Sequence, residues 1–147
     1  MAANFPDATV LAFDFGTRRI GIAMGNTLTS TAHALTTIDD ERTEQRFAAI
    51  AALVKEWAPG TLVVGLPVHA DGKEHDMTQR ARRFARQLEG RFQLPVALVD
   101  ERWTTEAAQS ALDDSGVTGR KGKAVRDQVA AQLILQSWFD ERAAANP

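Results

Sequence analysis

Val10-Leu11-Ala12-Phe13-Asp14-Phe15, followed after four polar or glycine positions by Ile20-Gly21-Ile22-Ala23-Met24-Gly25, is the stretch that decides the fold. Each run is short, apolar and rich in strand formers, and the polar gap is long enough only for a tight turn, so two strands joined as a hairpin are predicted. Thr31 to Ile38 supplies a third, more exposed strand. The period then changes. Asp39, Asp40 and Glu41 put acid at an expected helix N-terminus, where it suits the helix dipole, and Phe47, Ile50, Ala51, Val54 and Trp57 recur at helical spacing until Pro59-Gly60. Thr61-Leu62-Val63-Val64-Gly65-Leu66, closed by Pro67, is a buried strand. A polar loop from His69 to Asp76, turning at Asp71-Gly72, leads to a helix from about Met77 to Glu89 that Gly90 should end. Val96-Ala97-Leu98-Val99 is a further strand. A helix capped at Thr104 or Thr105 and ended by Gly116 follows, then a glycine-rich polar segment and a last helix from about Lys123 to Arg142. The order is that of an α/β protein with an antiparallel start, its mixed sheet covered on both faces by helices.

Composition narrows the function classes. The 147 residues suit one domain, with a core expected over about 9–142, and the absence of cysteine excludes thiol catalysis, cysteine-held zinc or iron–sulfur centres and disulfide scaffolds. No apolar stretch approaches the roughly 18 residues that span a bilayer, and Met1 to Ala8 lacks the pattern of a signal peptide, so a soluble, cytoplasmic protein without membrane contact is expected. The net charge of −2 is a sum of unlike parts. Five arginines (80, 82, 83, 86, 91) meet one glutamate between Thr78 and Arg91, and Arg120, Lys121, Lys123 and Arg126 lie in a segment with no acid. Either segment could contact several phosphates, and a solvated helix face is the ordinary alternative for the first. The use of 13 Arg against four Lys also suits bidentate phosphate contacts.

Three acids stand where acids are costly. Asp14 interrupts an apolar strand. Glu101 and Asp100 follow Val99, at the carboxyl end of a strand where α/β folds bind ligands, and alternation puts Glu101 on the face of Val99 and Ala97, with Asp100 on the other. Asp127 heads the stripe Ala131, Ile134, Trp138 that should face the sheet. Each alone has a plain explanation: turn amides for Asp14, Arg102 for Glu101, the helix dipole for Asp127. Together they are the oxygen donor set that Mg²⁺ or Mn²⁺ prefers, and a pair of such ions supports phosphodiester hydrolysis. His33, His69 and His75 have no ligand spacing. Trp103 is assigned to packing over base stacking.

Four motifs carry a resemblance. Asp14-Phe15-Gly16-Thr17-Arg18-Arg19-Ile20-Gly21-Ile22-Ala23, Val64-Gly65-Leu66-Pro67 with Asp71-Gly72, Asp100-Glu101-Arg102 with Thr104-Thr105, and Asp127-Gln128-Val129-Ala130-Ala131 with Ile134-Leu135-Gln136 resemble, in order and spacing, the YqgF family. These are Holliday-junction-resolvase-like proteins regarded as nucleases for the 5′ end of precursor 16S rRNA. The resemblance implies a ribonuclease H-like fold with a five-stranded mixed sheet and a catalytic Mg²⁺ or Mn²⁺ site at Asp14, Glu101 and Asp127. It further implies that the partner is nucleic acid, either precursor 16S rRNA or the small ribosomal subunit. Thr17, Arg18 and Arg102 within the motifs, with Arg120, Lys121, Lys123 and Arg126, are the expected nucleic-acid contacts, in a monomer or homodimer. His69 and Trp103 depart from the family's usual Asn and Leu. The Asp-Phe-Gly-Thr start also resembles the first phosphate loop of the actin, Hsp70 and sugar-kinase superfamily, but those proteins clamp ATP between two such domains and 147 residues supply one. The competing readings are resolution of branched DNA, which requires a dimer, and a non-catalytic RNA- or ribosome-binding factor.

Overall fold

The computed structural model describes residues 9–69, 71–101 and 119–145, and within the last helix the side chains of 122–144. Five strands, β1 (Thr9–Phe15), β2 (Arg19–Asn26), β3 (Thr31–Asp39), β4 (Thr61–Leu66) and β5 (Val96–Asp100), form one sheet in the order β3-β2-β1-β4-β5. The first three pair antiparallel as a meander, and β4 and β5 run parallel to β1. This is the expected five-stranded mixed sheet. Helices α1 (Thr43–Trp57) and α2 (Asp76–Phe92) cover one face and α3 (Gly119–Ala145) the other. The helix expected between Thr104 and Gly116 lies outside the described residues.

Strand alternation divides the core. Leu11, Phe13, Ile20, Ile22, Leu62 and Val64 turn toward α1 and α2, where Phe84 gathers the rings of Phe13, Phe15 and Phe47 at centroid distances of 4.9–5.8 Å. Val10, Ala12, Ala23, Val63 and Val99 turn toward the fully buried Ala131, Ile134 and Leu135 of α3. The predicted stripe of α3 is therefore its core face. A second stripe on α3, Gln128, Gln132 and Gln136, hydrogen-bonds Thr37 Oγ1, the Ala32 backbone and the Ser30 carbonyl, tying the helix along the edge strand β3. Among the described residues no helix is long and apolar enough to cross a membrane.

Four local expectations are corrected. Asp39 is the last residue of β3, in register with Arg19, and the Asp40 carboxylate accepts bonds from the Arg42 amide and guanidinium. Strand pairing thus takes Asp39 from the helix end, the local contact with Arg42 engages Asp40, and α1 starts at Thr43 with Glu44 as its first-turn acid. Ala51 is exposed rather than core, the inward positions of α1 being Arg46, Phe47 and Ile50. Gly90 does not end α2, because Phe92 packs on the core and carries the helix on to a left-handed cap at Gln93. Gly119 and Gly122 are helical, so α3 begins four residues earlier than its apolar stripe announces.

Candidate active site

Asp14 and Glu101 meet on the α3 face of the sheet, at the carboxyl ends of β1 and β5. The two strands are not neighbours; β4 lies between them. Glu101 crosses this gap over Gly65, where an added Cβ would stand 2.8 Å from Glu101 Cδ and would also collide with Ile134. A glycine in a strand interior marks such a close approach. The Glu101 amide donates to the Leu66 carbonyl at 3.0 Å, which extends the β4–β5 ladder by one residue and aims the side chain inward.

The two side chains hydrogen-bond each other, Glu101 is buried and Asp14 half-buried. Burial, with the charges of Asp14 and Asp100, pushes the Glu101 carboxyl up to about 9. Burial raises Asp14 as well, against the lowering effect of its bond to Glu101, and the charge of Asp127 adds to the rise. The pair therefore holds a proton between its carboxyl oxygens at neutral pH. A cation placed there would replace that proton and relieve the repulsion.

Asp127 lies within electrostatic reach of Asp14, but its Oδ2 accepts a bond from Arg19 Nε at 2.7 Å, both side chains being about one-fifth exposed. Among the described residues no three of His, Asp and Glu stand together as a ready metal cluster. Two of the three expected acids are thus assembled, and the third is turned to an arginine. Gly21 makes this placement possible: a Cβ there would overlap the Asp127 backbone and lie 2.8 Å from its Cβ. The donor set, all carboxylate oxygen and partly buried, fits a hard divalent cation, with Asp14 and Glu101 in place and Asp127 available once it leaves Arg19.

Of the expected nucleic-acid contacts, Thr17, Arg18, Lys123 and Arg126 are exposed, and Arg18 approaches Asp39 at 3.8 Å. Arg102 and the side chains of Arg120 and Lys121 lie outside the described residues, as does Trp103. Asp100 ends β5 in register with Leu66, near enough for its charge to raise Glu101, and His69 is exposed with its ring 4.7 Å from that of His75. Sequence reasoning missed Arg19, Gly21, Gly65 and Arg46. The glycines inside apolar strands were a readable signal, and Arg19 lay within a quoted motif. Arg46 gave none: it is buried in α1, where its guanidinium donates to the Asp40 carbonyl at 2.6 Å and to the Gly16 carbonyl.

Comparison with known proteins places the chain in a family. Residues 8–141 match the model of a family described as RuvX: Holliday junction resolvase. A protein of Nitrosomonas europaea, provisionally named a pre-16S rRNA nuclease, is 59% identical over 138 residues, 94% of this chain and 93% of that one. A Methylobacillus flagellatus protein with the same provisional name is 60% identical over 131 residues, 89% of this chain and 90% of that one. Among solved structures, Thermus thermophilus RuvC in complex with a Holliday junction substrate superposes with a TM-score of 0.60 at 15% identity, over 92% of this chain and 96% of that one. The yeast mitochondrial Holliday junction resolvase Ydc2 gives 0.59 at 12% identity, over 97% of this chain and 82% of that one. At such identities these two likenesses concern the ribonuclease H-like fold alone. Nucleases of this fold generally use divalent metals.

Proposed function

Because the chain belongs to the RuvX family of Holliday junction resolvase-like nucleases, we propose that it is a divalent-metal-dependent nuclease that trims the 5′ end of precursor 16S rRNA. The observation that carries the metal dependence is the buried Asp14–Glu101 pair, two carboxyls that neutral water would ionise but that repulsion and burial keep partly protonated. The RNA substrate rests on the relatives' names.

Asp14, Glu101 and Asp127 would hold Mg²⁺ or Mn²⁺, which supplies charge neutralisation at the scissile phosphate and an acidified water. The chain's own part is positional. β1 and β5 fix two carboxylates on rigid strand ends, and α3 brings the third to the same face. Asp14 and Asp127 would be the main ligands, and Glu101 would complete the site and orient the water. Arg19 keeps Asp127 in reserve while the carboxylates are crowded by like charge. Thr17, Arg18, Arg102, Arg120, Lys121, Lys123 and Arg126 steer and hold the phosphate backbone.

A second reading, cleavage of four-way DNA junctions, is favoured by the family description itself. One experiment addresses both. Wild type and Asp14→Asn are incubated with an RNA carrying the precursor 16S 5′ end and with a four-way DNA junction, with and without Mn²⁺. Mn²⁺-dependent shortening of the RNA that Asp14→Asn abolishes is the expected result. Full activity in Asp14→Asn refutes the site, and cleavage of the junction alone refutes the substrate.

A further inference from the structure

On the other face of β1, one residue along from Asp14, lies a cavity of about 400 Å³ between α1 and α2. Its volume falls within the roughly 300–1,000 Å³ of small-molecule sites. It is lined by Arg46, Arg80 and Arg83, by the Thr43 hydroxyl and the Gln87 amide, and by the rings of Phe15, Phe47 and Phe84. No acid of the described residues lines it.

The three guanidinium groups are differently committed. Arg46 is buried, lies 5.3 Å from the Phe15 ring centroid and donates only to backbone carbonyls; no carboxylate of the described residues is within ion-pair distance of it. Arg80 has an exposed i,i+4 partner in Asp76, a contact worth little in water. Arg83 is exposed and has no partner among the described residues. The rest of the α2 arginine cluster is accounted for differently: Arg82 pairs with Glu74, Arg91 with Glu44, and Arg86 faces away, toward β5. Of the two α2 arginines without a carboxylate partner among the described residues, Arg83 therefore stands at a cavity that also offers aromatic faces and neutral hydrogen-bonding groups, and Arg86 does not. A planar fork of donors beside aromatic edges recognises a phosphate carried on a nucleotide.

We propose that the α1/α2 cavity is a phosphate-binding subsite that seats one nucleotide phosphate, through Arg46, Arg80 and Arg83, apart from the site of cleavage. Its source is either a strand that wraps the carboxyl edge of the sheet or a free nucleotide. The strand source rests on the nuclease reading, whereas the phosphate chemistry does not. The Arg46 bond to the Gly16 carbonyl ties the subsite to the turn that follows Asp14, so a seated phosphate and the acid pair share one rigid support.

Binding is measured on the full chain in EDTA, where no cleavage occurs, so the outcome is independent of the metal site. The probes are a short labelled single-stranded RNA, followed by anisotropy across a salt series, and AMP against adenosine as competitors. Arg83→Ala is expected to weaken RNA binding about tenfold and to flatten the salt slope by about 0.7, the value of one phosphate contact on a single strand. Arg86→Ala, which removes the same charge from the opposite flank of α2, is expected to change affinity less than about twofold. Displacement by AMP but not adenosine, lost in Arg83→Ala, assigns the subsite to a free nucleotide; an Arg83→Ala defect without AMP displacement assigns it to the strand. Equal losses in Arg83→Ala and Arg86→Ala, or no loss in Arg83→Ala with either probe, overturn the subsite.

Discussion

Replacing Glu101 by glutamine should make the metal-free protein more stable at neutral and alkaline pH. Glu101 is raised from 4.5 to about 9 by burial and by the charges of Asp14 and Asp100. A carboxyl whose folded value lies above its unfolded one lends stability that is fully present below pH 4.5 and is lost as pH climbs toward the folded value. At pH 7 the folded chain keeps a proton that the unfolded chain has released across about 2.5 pH units, a cost of about 3 kcal/mol at about 1.4 kcal/mol per unit. Because Asp14 shares the proton, about 2 kcal/mol is the figure to carry forward. The glutamine side chain keeps the shape and can donate to Asp14 as the protonated acid does, without titrating. In EDTA the Glu101→Gln variant should therefore melt about 5–8 °C above wild type at pH 7, and the two should converge to within about 1 kcal/mol at pH 5. Thermal melts by circular dichroism from pH 5 to pH 8 measure this directly. Parallel pH profiles for the two proteins, or a variant less stable than wild type at pH 8, refute the protonated pair. Added Mn²⁺ should raise the wild-type melting temperature more at pH 8 than at pH 5, and should do little for Glu101→Gln.

Other substitutions probe the supports of the site. Arg19→Ala releases Asp127 and should tighten Mn²⁺ binding up to about tenfold by calorimetry, since the cation no longer competes with a guanidinium at 2.7 Å; unchanged affinity removes Asp127 from the ligand set. Gly21→Ala forces a methyl into the α3 backbone and should cost about 3 kcal/mol in urea denaturation, more than Gly65→Ala, whose obstacles are side chains that can shift. The reverse ranking counts against the observed helix placement. Gly90→Ala, exposed inside α2 with nothing near its missing Cβ, should instead stabilise by about 0.5–1 kcal/mol; a loss shows that Gly90 lies outside the helix.

Much of this protein was decided locally. The apolar runs at Val10, Ile20, Thr61 and Val96, the change of period after Ile38 and the stripe Ala131, Ile134, Trp138 determined five strands, helices on both faces and the element that carries each of the three acids. Burial imposes periods of 2 and 3.6 on the residues themselves, and those periods can be read without knowing any partner. Tertiary structure decided what depends on contacts between distant residues. Strand order put β4 between Asp14 and Glu101, so that Gly65 became the passage between them. Arg19 took Asp127 from 108 positions away. Register with Arg19 kept Asp39 in a strand that its sequence had marked as a helix end, and packing of Phe92 drew α2 past a glycine that propensity alone would make its stop. Five arginines that looked alike on one helix were sorted into paired and unpaired by neighbours as far off as Glu44 on α1. Local preferences are worth about a kilocalorie per residue, and long-range burial and pairing exceed that wherever the two disagree.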